Sequence, residues 1–158
     1  MKIHNICFLG DANTGKSHII HAYTKGYDIP FTPSLTIGFE LNIKNIENNK
    51  IYLWDCGSDI RFQRYFLDFL DNIDLFLITA DCENWDSIIN IHNYKNQING
   101  KKYHILINKD DKLCNKLYND KLCNYLEDNF KDNYIFINSF NKDRLDLKLD
   151  KIIFDKIV

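Results

Sequence analysis

Glycine and proline are scarce in this chain of 158 residues, which contains only six and two of them. So little glycine and proline excludes collagen-like chains and low-complexity chains rich in these two residues. The chain also lacks an apolar run of the roughly 20 residues that a membrane-spanning helix needs. The first residues, MKIHNICFLG, are too short and too interrupted for a secretory signal. With 45% hydrophobic and 27% charged residues, the composition is that of an ordinary globular protein.

The net charge of the chain is also small. The net charge of -2 gives no reason to expect nucleic acid or an anionic membrane as a partner. The five cysteines form no C-x-x-C pair, and an odd, scattered set is typical of reduced thiols, so we expect a cytoplasmic protein. The last residues, DKIIFDKIV, contain no cysteine for prenylation, so we expect any membrane contact to come through a partner.

Apolar runs alternate with helix-like stretches, which is the rhythm of an open, mostly parallel sheet in one domain over residues 1–158. The pair Asn48-Asn49 predicts a hairpin turn, and both prolines fall in a predicted loop, YDIPFTPSLTIG. Strands are predicted at residues 3–9, 39–46, 50–55, 75–80, 103–108 and 134–138, and helices at 16–25, 61–71, 86–98, 115–128 and 143–157.

The segment GDANTGKS follows the first predicted strand and opens a helix, as the phosphate-binding pattern G-x-x-x-x-G-K-[ST] requires. Its glycines let the backbone wrap a phosphate, toward which the amides and the helix N-terminus point. We expect Lys16 to reach the β and γ phosphates and the Ser17 hydroxyl to bind Mg²⁺. The candidate phosphate-binding residues are Gly10, Asn13, Thr14, Gly15, Lys16, Ser17 and His18.

The segment INKDD follows the fifth predicted strand. A carboxylate two residues beyond an Asn-Lys pair can accept hydrogen bonds from N1–H and N2–H₂ of guanine, whereas adenine does not offer that pair of donors. Asn108, Lys109 and Asp111 match this N-K-x-D pattern and, after a P-loop, predict a guanine nucleotide. The segment INSFN, after the sixth strand, offers Ser139 and Phe140 as further base contacts, with an ordinary turn as the alternative.

Together these motifs resemble those of small GTPases of the Ras superfamily over nearly the whole chain. The resemblance implies the P-loop NTPase fold of a small G-domain, which is α/β with a six-stranded, mostly parallel sheet and helices on both faces. It also implies GTP/GDP and Mg²⁺ as cofactors. Thr36 resembles the first-switch threonine that binds Mg²⁺, and Asp55 resembles the Walker B aspartate that supports the ion. The alternatives are a strand-edge threonine and a turn-forming aspartate.

The resemblance to subfamilies is divided. GDANTGKS, the pair Arg61-Phe62 and ITADCENWDSI resemble Rab proteins. In contrast, PSLTIGF and the short interval between Thr36 and Asp55 resemble Arf proteins. We favour a divergent Rab/Ras-like protein over an Arf-like one.

The second switch departs from the family. The pattern W-D-T-A-G-Q-E-R-F aligns without a gap on WDCGSDIRF. Ser58 then replaces the glycine whose amide meets the γ-phosphate, and Asp59 replaces the glutamine that orients water. Ionised aspartate offers acceptors only and brings negative charge toward the phosphates, so we expect slow hydrolysis. The other register, with Gly57 as the switch glycine, loses the match at Arg61 and Phe62.

Aromatic side chains are candidates for contacts with partners and with the base. Phe39, Trp54 and Phe69 resemble the triad that effectors contact together with the switch loops, and a core position is the alternative. Phe31 or Tyr27 is a candidate lid over the guanine.

The sequence therefore predicts a monomeric guanine-nucleotide switch that hydrolyses GTP, with Lys16, Thr36 and Asp59 as catalytic candidates. The Rab-like resemblance implies regulation of vesicle traffic or signalling through effectors, an exchange factor and a GTPase-activating protein. The alternatives are a permanently GTP-bound binding module or effector decoy, an Arf-like GTPase, and an ATP-binding P-loop protein, which the segment NKDD disfavours.

Overall fold

The computed structural model describes residues 2–58, 70–112 and 115–157. Within these ranges the strands are β1 (Lys2–Leu9), β2 (Phe39–Ile46), β3 (Asn49–Cys56), β4 (Leu75–Asp81), β5 (Tyr103–Asn108) and β6 (Tyr134–Phe136). The helices are α1 (Lys16–Lys25), α2 (Trp85–Gln97), α3 (Lys116–Phe130) and α4 (Lys142–Ile157), with short 3-10 turns at Leu70–Asn72 and Asp110–Lys112. The predicted helix over 61–71 lies almost entirely outside the described residues.

The six strands form one sheet in the order β2-β3-β1-β4-β5-β6. Only β2 and β3 pair antiparallel, and the other neighbours are parallel. The predicted α/β fold with a six-stranded, mostly parallel sheet is therefore confirmed. Because the carboxyl ends of the parallel strands meet at one edge of the sheet, the loops that follow them lie close together there.

The predicted hairpin turn is wrong by one residue. Ile46 pairs with Asn49, so the two turn residues are Glu47 and Asn48, and Glu47 adopts a positive φ of 52°. Asn49 stays in β3 because it also pairs with Lys2 of β1 on its other side. Pairing with two neighbouring strands outweighs the local preference of asparagine for turns.

Asparagine side chains set the first residues of two helices. The Asn84 carboxamide accepts hydrogen bonds from the amides of Asp86 and Ser87, so α2 begins one residue before its predicted start. The Asn115 side chain accepts from the amide of Tyr118 in the same way, so the predicted helix over 115–128 begins at Lys116 and runs on to Phe130. Helix α1 has the predicted bounds.

The sheet separates two apolar layers, as its alternating side chains require. Helices α1 and α4 cover the face to which Ile6 and Phe8 point, and helices α2 and α3 cover the face of Cys7 and Leu9. Strand β4 lies inside the sheet, and all seven of its residues are buried. Burial of these apolar side chains is the main driving force for the fold. In the ranges described, no helix combines the length and apolarity needed to span a bilayer.

Candidate nucleotide site

The loop after β1 wraps around an open space and leads into α1. Gly15 has a φ of 96°, and a Cβ there would lie 2.2 Å from Nδ2 of Asn108, so only glycine fits. The Lys16 side chain turns back along the loop, and its Nζ donates hydrogen bonds to the carbonyls of Gly10 and Asp11, both at 2.9 Å. The loop backbone therefore fixes the position of the lysine ammonium.

Lys16 is a buried cation, with 7% of its surface exposed. Burial lowers the pKa of its ammonium, and the negative charge of nearby Asp55 opposes that shift. The two hydrogen bonds to carbonyls satisfy only part of the ammonium, because lysine carries three donors. A buried cation with a spare donor favours an anion such as phosphate.

Three side-chain oxygens from distant segments converge beside Lys16. The Asp55 Oδ2 accepts hydrogen bonds from the Ser17 hydroxyl and, at 3.1 Å, from the Thr36 hydroxyl. The two hydroxyl oxygens are 3.2 Å apart. Asp55 is buried, and its Oδ1 has no hydrogen-bond partner among the described residues. Hydroxyl and carboxylate oxygens with one unpaired acceptor are a donor set that suits Mg²⁺.

A cavity of about 100 Å³ adjoins this cluster, between the P-loop and the end of β3. Gly57 lines it, and its amide donates to the Gly38 carbonyl at 2.8 Å. A Cβ on Gly57 would lie 2.3 Å from the Thr36 carbonyl oxygen, so this position requires glycine. Ser58 and Ala12 line the same cavity. Four residues of the sequence predictions lie outside the described ranges: Asp59, Arg61, Phe62 and Phe69.

A second cavity, of about 190 Å³, lies between the P-loop and the loop before β2. His18 and Phe31 line it together with Asn13. The His18 ring contacts those of Phe31 and Phe140, with centroids 5.1 and 4.4 Å away. Its Nδ1 is 2.9 Å from the Ser139 hydroxyl, and burial lowers the pKa of the imidazole. Through His18, these contacts connect the loop before β2 to the loop after β6.

Asn108 fastens the P-loop to the loop after β6. It is almost fully buried, and its Nδ2 donates to the Thr14 carbonyl at 3.0 Å. Its Oδ1 accepts from the amide of Ser139 at 3.2 Å. The predicted base-contacting Ser139 thus lies beside Asn108 of the N-K-x-D segment. Asp111 is exposed in the following 3-10 turn.

The comparison with protein families gives a match over residues 5–111, which is more than half of the chain. The matching family is described as "Ras of Complex, Roc, domain of DAPkinase". The chain belongs to the Roc family of Ras-like GTPase domains. Among curated proteins no match is found. The predicted resemblance to the Ras superfamily is confirmed at this level, and the family binds guanine nucleotides.

The Roc match ends at Asp111, so it includes the P-loop, Thr36, Asp55 and the N-K-x-D segment. The loop with Ser139 and Phe140 lies beyond it, and its place in the site rests on contacts with His18, Tyr27 and Asn108. The match identifies the superfamily but does not distinguish a Rab-like from an Arf-like protein.

The structure of this Roc-family domain adds an acid that sequence reasoning missed. Asp81 forms an ion pair with Lys109, at the point where the neighbouring strands β4 and β5 end. The signal was present, because a charged residue at the carboxyl end of a buried parallel strand points to a binding site. The ion pair fixes the lysine of the base-reading segment, whose backbone has a positive φ of 66°.

The candidate lid and effector residues take distinct places. The Tyr27 hydroxyl donates to the Ser139 carbonyl at 2.7 Å, whereas Phe31 packs against His18 and His21. Phe39 and Trp54 are half-buried against the core, so the Roc-family domain presents only part of each side chain to a partner.

Proposed function

We propose that this chain is a guanine-nucleotide switch, formed by one domain over residues 1–158, that binds GTP and GDP with Mg²⁺ and hydrolyses GTP. One observation carries the proposal. The oxygens of Ser17, Thr36 and Asp55 meet beside the Lys16 ammonium, although they come from the P-loop helix, the loop before β2 and the end of β3. Such a meeting of loops is what a nucleotide-dependent switch requires.

Each residue then has a chemical role. Lys16 neutralises phosphate charge, and Ser17 and Thr36 hold Mg²⁺ while Asp55 supports the ion. When bound, Mg²⁺ would neutralise part of the negative charge of the phosphates. The γ-phosphate would order the loops around Thr36 and Ser58, and hydrolysis would release them.

Guanine selection falls to the loops after β5 and β6. Asp111 accepts hydrogen bonds from N1–H and N2–H₂ of the base. Asn108 acts by holding the P-loop and the Ser139 loop together. Its burial and its two contacts with backbone groups support this role. Lys109, fixed by Asp81, and the ring of Phe140 flank the place of the base.

Slow hydrolysis is part of the proposal, because Asp59 stands where the Ras-superfamily pattern W-D-T-A-G-Q-E-R-F has a glutamine. Aspartate cannot donate toward the transferring phosphate and repels it. A hydrolysis-deficient, GTP-bound binding module or effector decoy is the second candidate, and the same residue favours it. The intact Lys16, Thr36 and Asp55 support the cycling enzyme.

The cellular role is proposed from resemblance. Arg61-Phe62 and ITADCENWDSI support a Rab-like regulator of vesicle traffic or signalling, and PSLTIGF supports the Arf-like alternative. The scattered cysteines favour a cytoplasmic protein, which we propose to be a monomer. Effectors and regulators would contact the switch loops, Phe69 and the exposed parts of Phe39 and Trp54.

Competition against fluorescently labelled GDP tests the function. We expect unlabelled GTP and GDP to displace the label and ATP to fail, and we expect EDTA to accelerate release because Ser17, Thr36 and Asp55 lose Mg²⁺. Ser17→Ala should abolish most of the EDTA effect. The control, Thr24→Ala, changes a hydroxyl on the same helix that donates to the Ile20 carbonyl. Equal displacement by ATP and GTP would contradict the proposed function.

A further inference from the structure

The carboxylate of Asp11, the second residue of the P-loop, contacts helix α2. Oδ2 of Asp11 accepts a hydrogen bond from Nδ2 of Asn90 at 2.8 Å, and Oδ1 accepts one from the Tyr94 hydroxyl at 2.9 Å. Both donors lie on α2, about 80 residues further along the chain. Each carboxylate oxygen of Asp11 therefore has a partner on α2.

The backbone of the same residue takes part in the phosphate site. The Asp11 carbonyl accepts hydrogen bonds from the Lys16 ammonium at 2.9 Å and from the Thr14 hydroxyl at 3.0 Å. Its carboxylate is close enough to raise the pKa of Lys16 against the effect of burial. Ala12, the next residue, lines the cavity of about 100 Å³ beside Lys16. Asp11 thus contacts Lys16 through its backbone and carries a negative charge within the P-loop.

A mobile carboxylate here would oppose nucleotide binding in two ways. It would pair with the Lys16 ammonium, which the phosphates need, and it would add negative charge next to a polyanion. A carboxylate that accepts two good hydrogen bonds elsewhere has much less tendency to move. Burial and the bond to Asp11 raise the pKa of Tyr94, so its hydroxyl stays protonated and remains a donor.

We propose that Asn90 and Tyr94 are positioning residues that hold the Asp11 carboxylate against α2 and so leave Lys16 to the phosphates of the nucleotide. This inference rests on the proposed function. It also gives α2 a direct influence on the P-loop, since any movement of Asn90 and Tyr94 is transmitted to Asp11.

The test measures GDP affinity in the presence of Mg²⁺ at low and high salt. The double variant Asn90→Ala/Tyr94→Phe should bind GDP roughly tenfold more weakly at low ionic strength, and the defect should shrink as salt screens the charge. Adding Asp11→Asn to the double variant should restore affinity, because the released side chain is then neutral. The control Asn96→Ala/Tyr125→Phe removes the same chemical groups from exposed or half-exposed positions on α2 and α3.

Three results would overturn the inference. One is parent-like GDP affinity in the double variant, and another is a defect that neither salt nor Asp11→Asn reduces, since that would be a loss of local structure. Tyr94→Phe alone provides the same comparison if the double variant does not fold. The third is failure of the parent protein to bind any guanine nucleotide, which would contradict the proposed function as well, whereas the first two results would leave that function standing.

Discussion

The Thr36 hydroxyl donates a hydrogen bond to Oδ2 of Asp55 at 3.1 Å, which joins the loop before β2 to the end of β3. Asp55 is fixed in the sheet by the pairing of β3 with β1 and β2, whereas Thr36 belongs to an irregular segment. The contact therefore couples a loop that is free of regular structure to a rigid strand. In a nucleotide switch, this is where a change of ligand becomes a change of loop position.

Thr36→Ala should lower the preference for GTP over GDP. The hydroxyl would bind Mg²⁺ only when the loop before β2 closes over a γ-phosphate. Its removal should therefore lower the affinity for GTP by about tenfold and the affinity for GDP much less. Equilibrium titration with both labelled nucleotides in Mg²⁺ measures the ratio. Thr32→Ala, an exposed threonine of the same loop, is the control. An equal loss for GTP and GDP would count against a switch role for Thr36.

Asp59→Gln should accelerate intrinsic GTP hydrolysis. Glutamine restores a donor toward the transferring phosphate, keeps an acceptor for water and removes a negative charge. Single-turnover hydrolysis with preloaded GTP gives the rate, and Asp28→Asn, an exposed acid in the loop after α1, controls for loss of charge. An unchanged rate in Asp59→Gln would show that this position does not limit hydrolysis.

Asp111→Asn should exchange guanine for xanthine specificity. A carboxamide cannot accept both guanine donors, but its NH₂ can donate to the carbonyl that xanthine carries at C2. Affinities for GDP and xanthosine diphosphate should change in opposite directions by tenfold or more, on the order of one lost charged hydrogen bond. The neighbouring Asp110→Asn is the matched control. Loss of both affinities would indicate a structural role for Asp111 instead.

Phe140→Ala should speed nucleotide release. Its ring packs on His18 at a centroid distance of 4.4 Å, and His18 lines the cavity behind the P-loop. Loss of one aromatic contact should raise the dissociation rate of labelled GDP by about two- to tenfold. Leu147→Ala, which alters a similarly exposed apolar side chain on α4, should release GDP at the parent rate. Slower release from Phe140→Ala would mean that the ring obstructs the base.

Stability should fall on acidification because of His104. Its ring is buried and lies 3.0 Å from the Asn133 side-chain oxygen, and burial lowers the pKa of the imidazole below its ordinary 6.5. The unfolded chain then binds more protons than the folded chain, so the free energy of unfolding decreases as pH falls through that value toward the folded pKa. Urea unfolding at fixed nucleotide and Mg²⁺ should show a smaller decrease for His104→Asn. Parallel pH profiles would remove His104 from the explanation.

The fold was largely predictable because its signals are local. Continuous apolar runs such as LFLITA identify buried strands, and the GDANTGKS pattern identifies the loop that follows β1. The errors arose where pairing between strands outweighs local preference, as at Asn49. They also arose where a side chain caps its own helix, as Asn84 and Asn115 do.

The site was predictable only where one motif carries it. Lys16 and Ser17 belong to a single pattern, and Thr36 and Asp55 were reached through a resemblance. The Asp81–Lys109 ion pair connects residues 28 positions apart, and the Asp11–Asn90 hydrogen bond connects residues 79 positions apart. No local sequence pattern predicts contacts over such separations. Such contacts follow from the order of strands in the sheet, which places those segments side by side.

The most direct test is to identify the nucleotide that the protein carries. The chain is purified without added nucleotide, denatured, and the released material is separated by ion-exchange chromatography. We expect a guanine nucleotide in near-stoichiometric amount. GDP would indicate a cycling GTPase, and GTP would indicate the hydrolysis-deficient form that Asp59 favours. An adenine nucleotide in its place would contradict the proposed guanine-nucleotide switch.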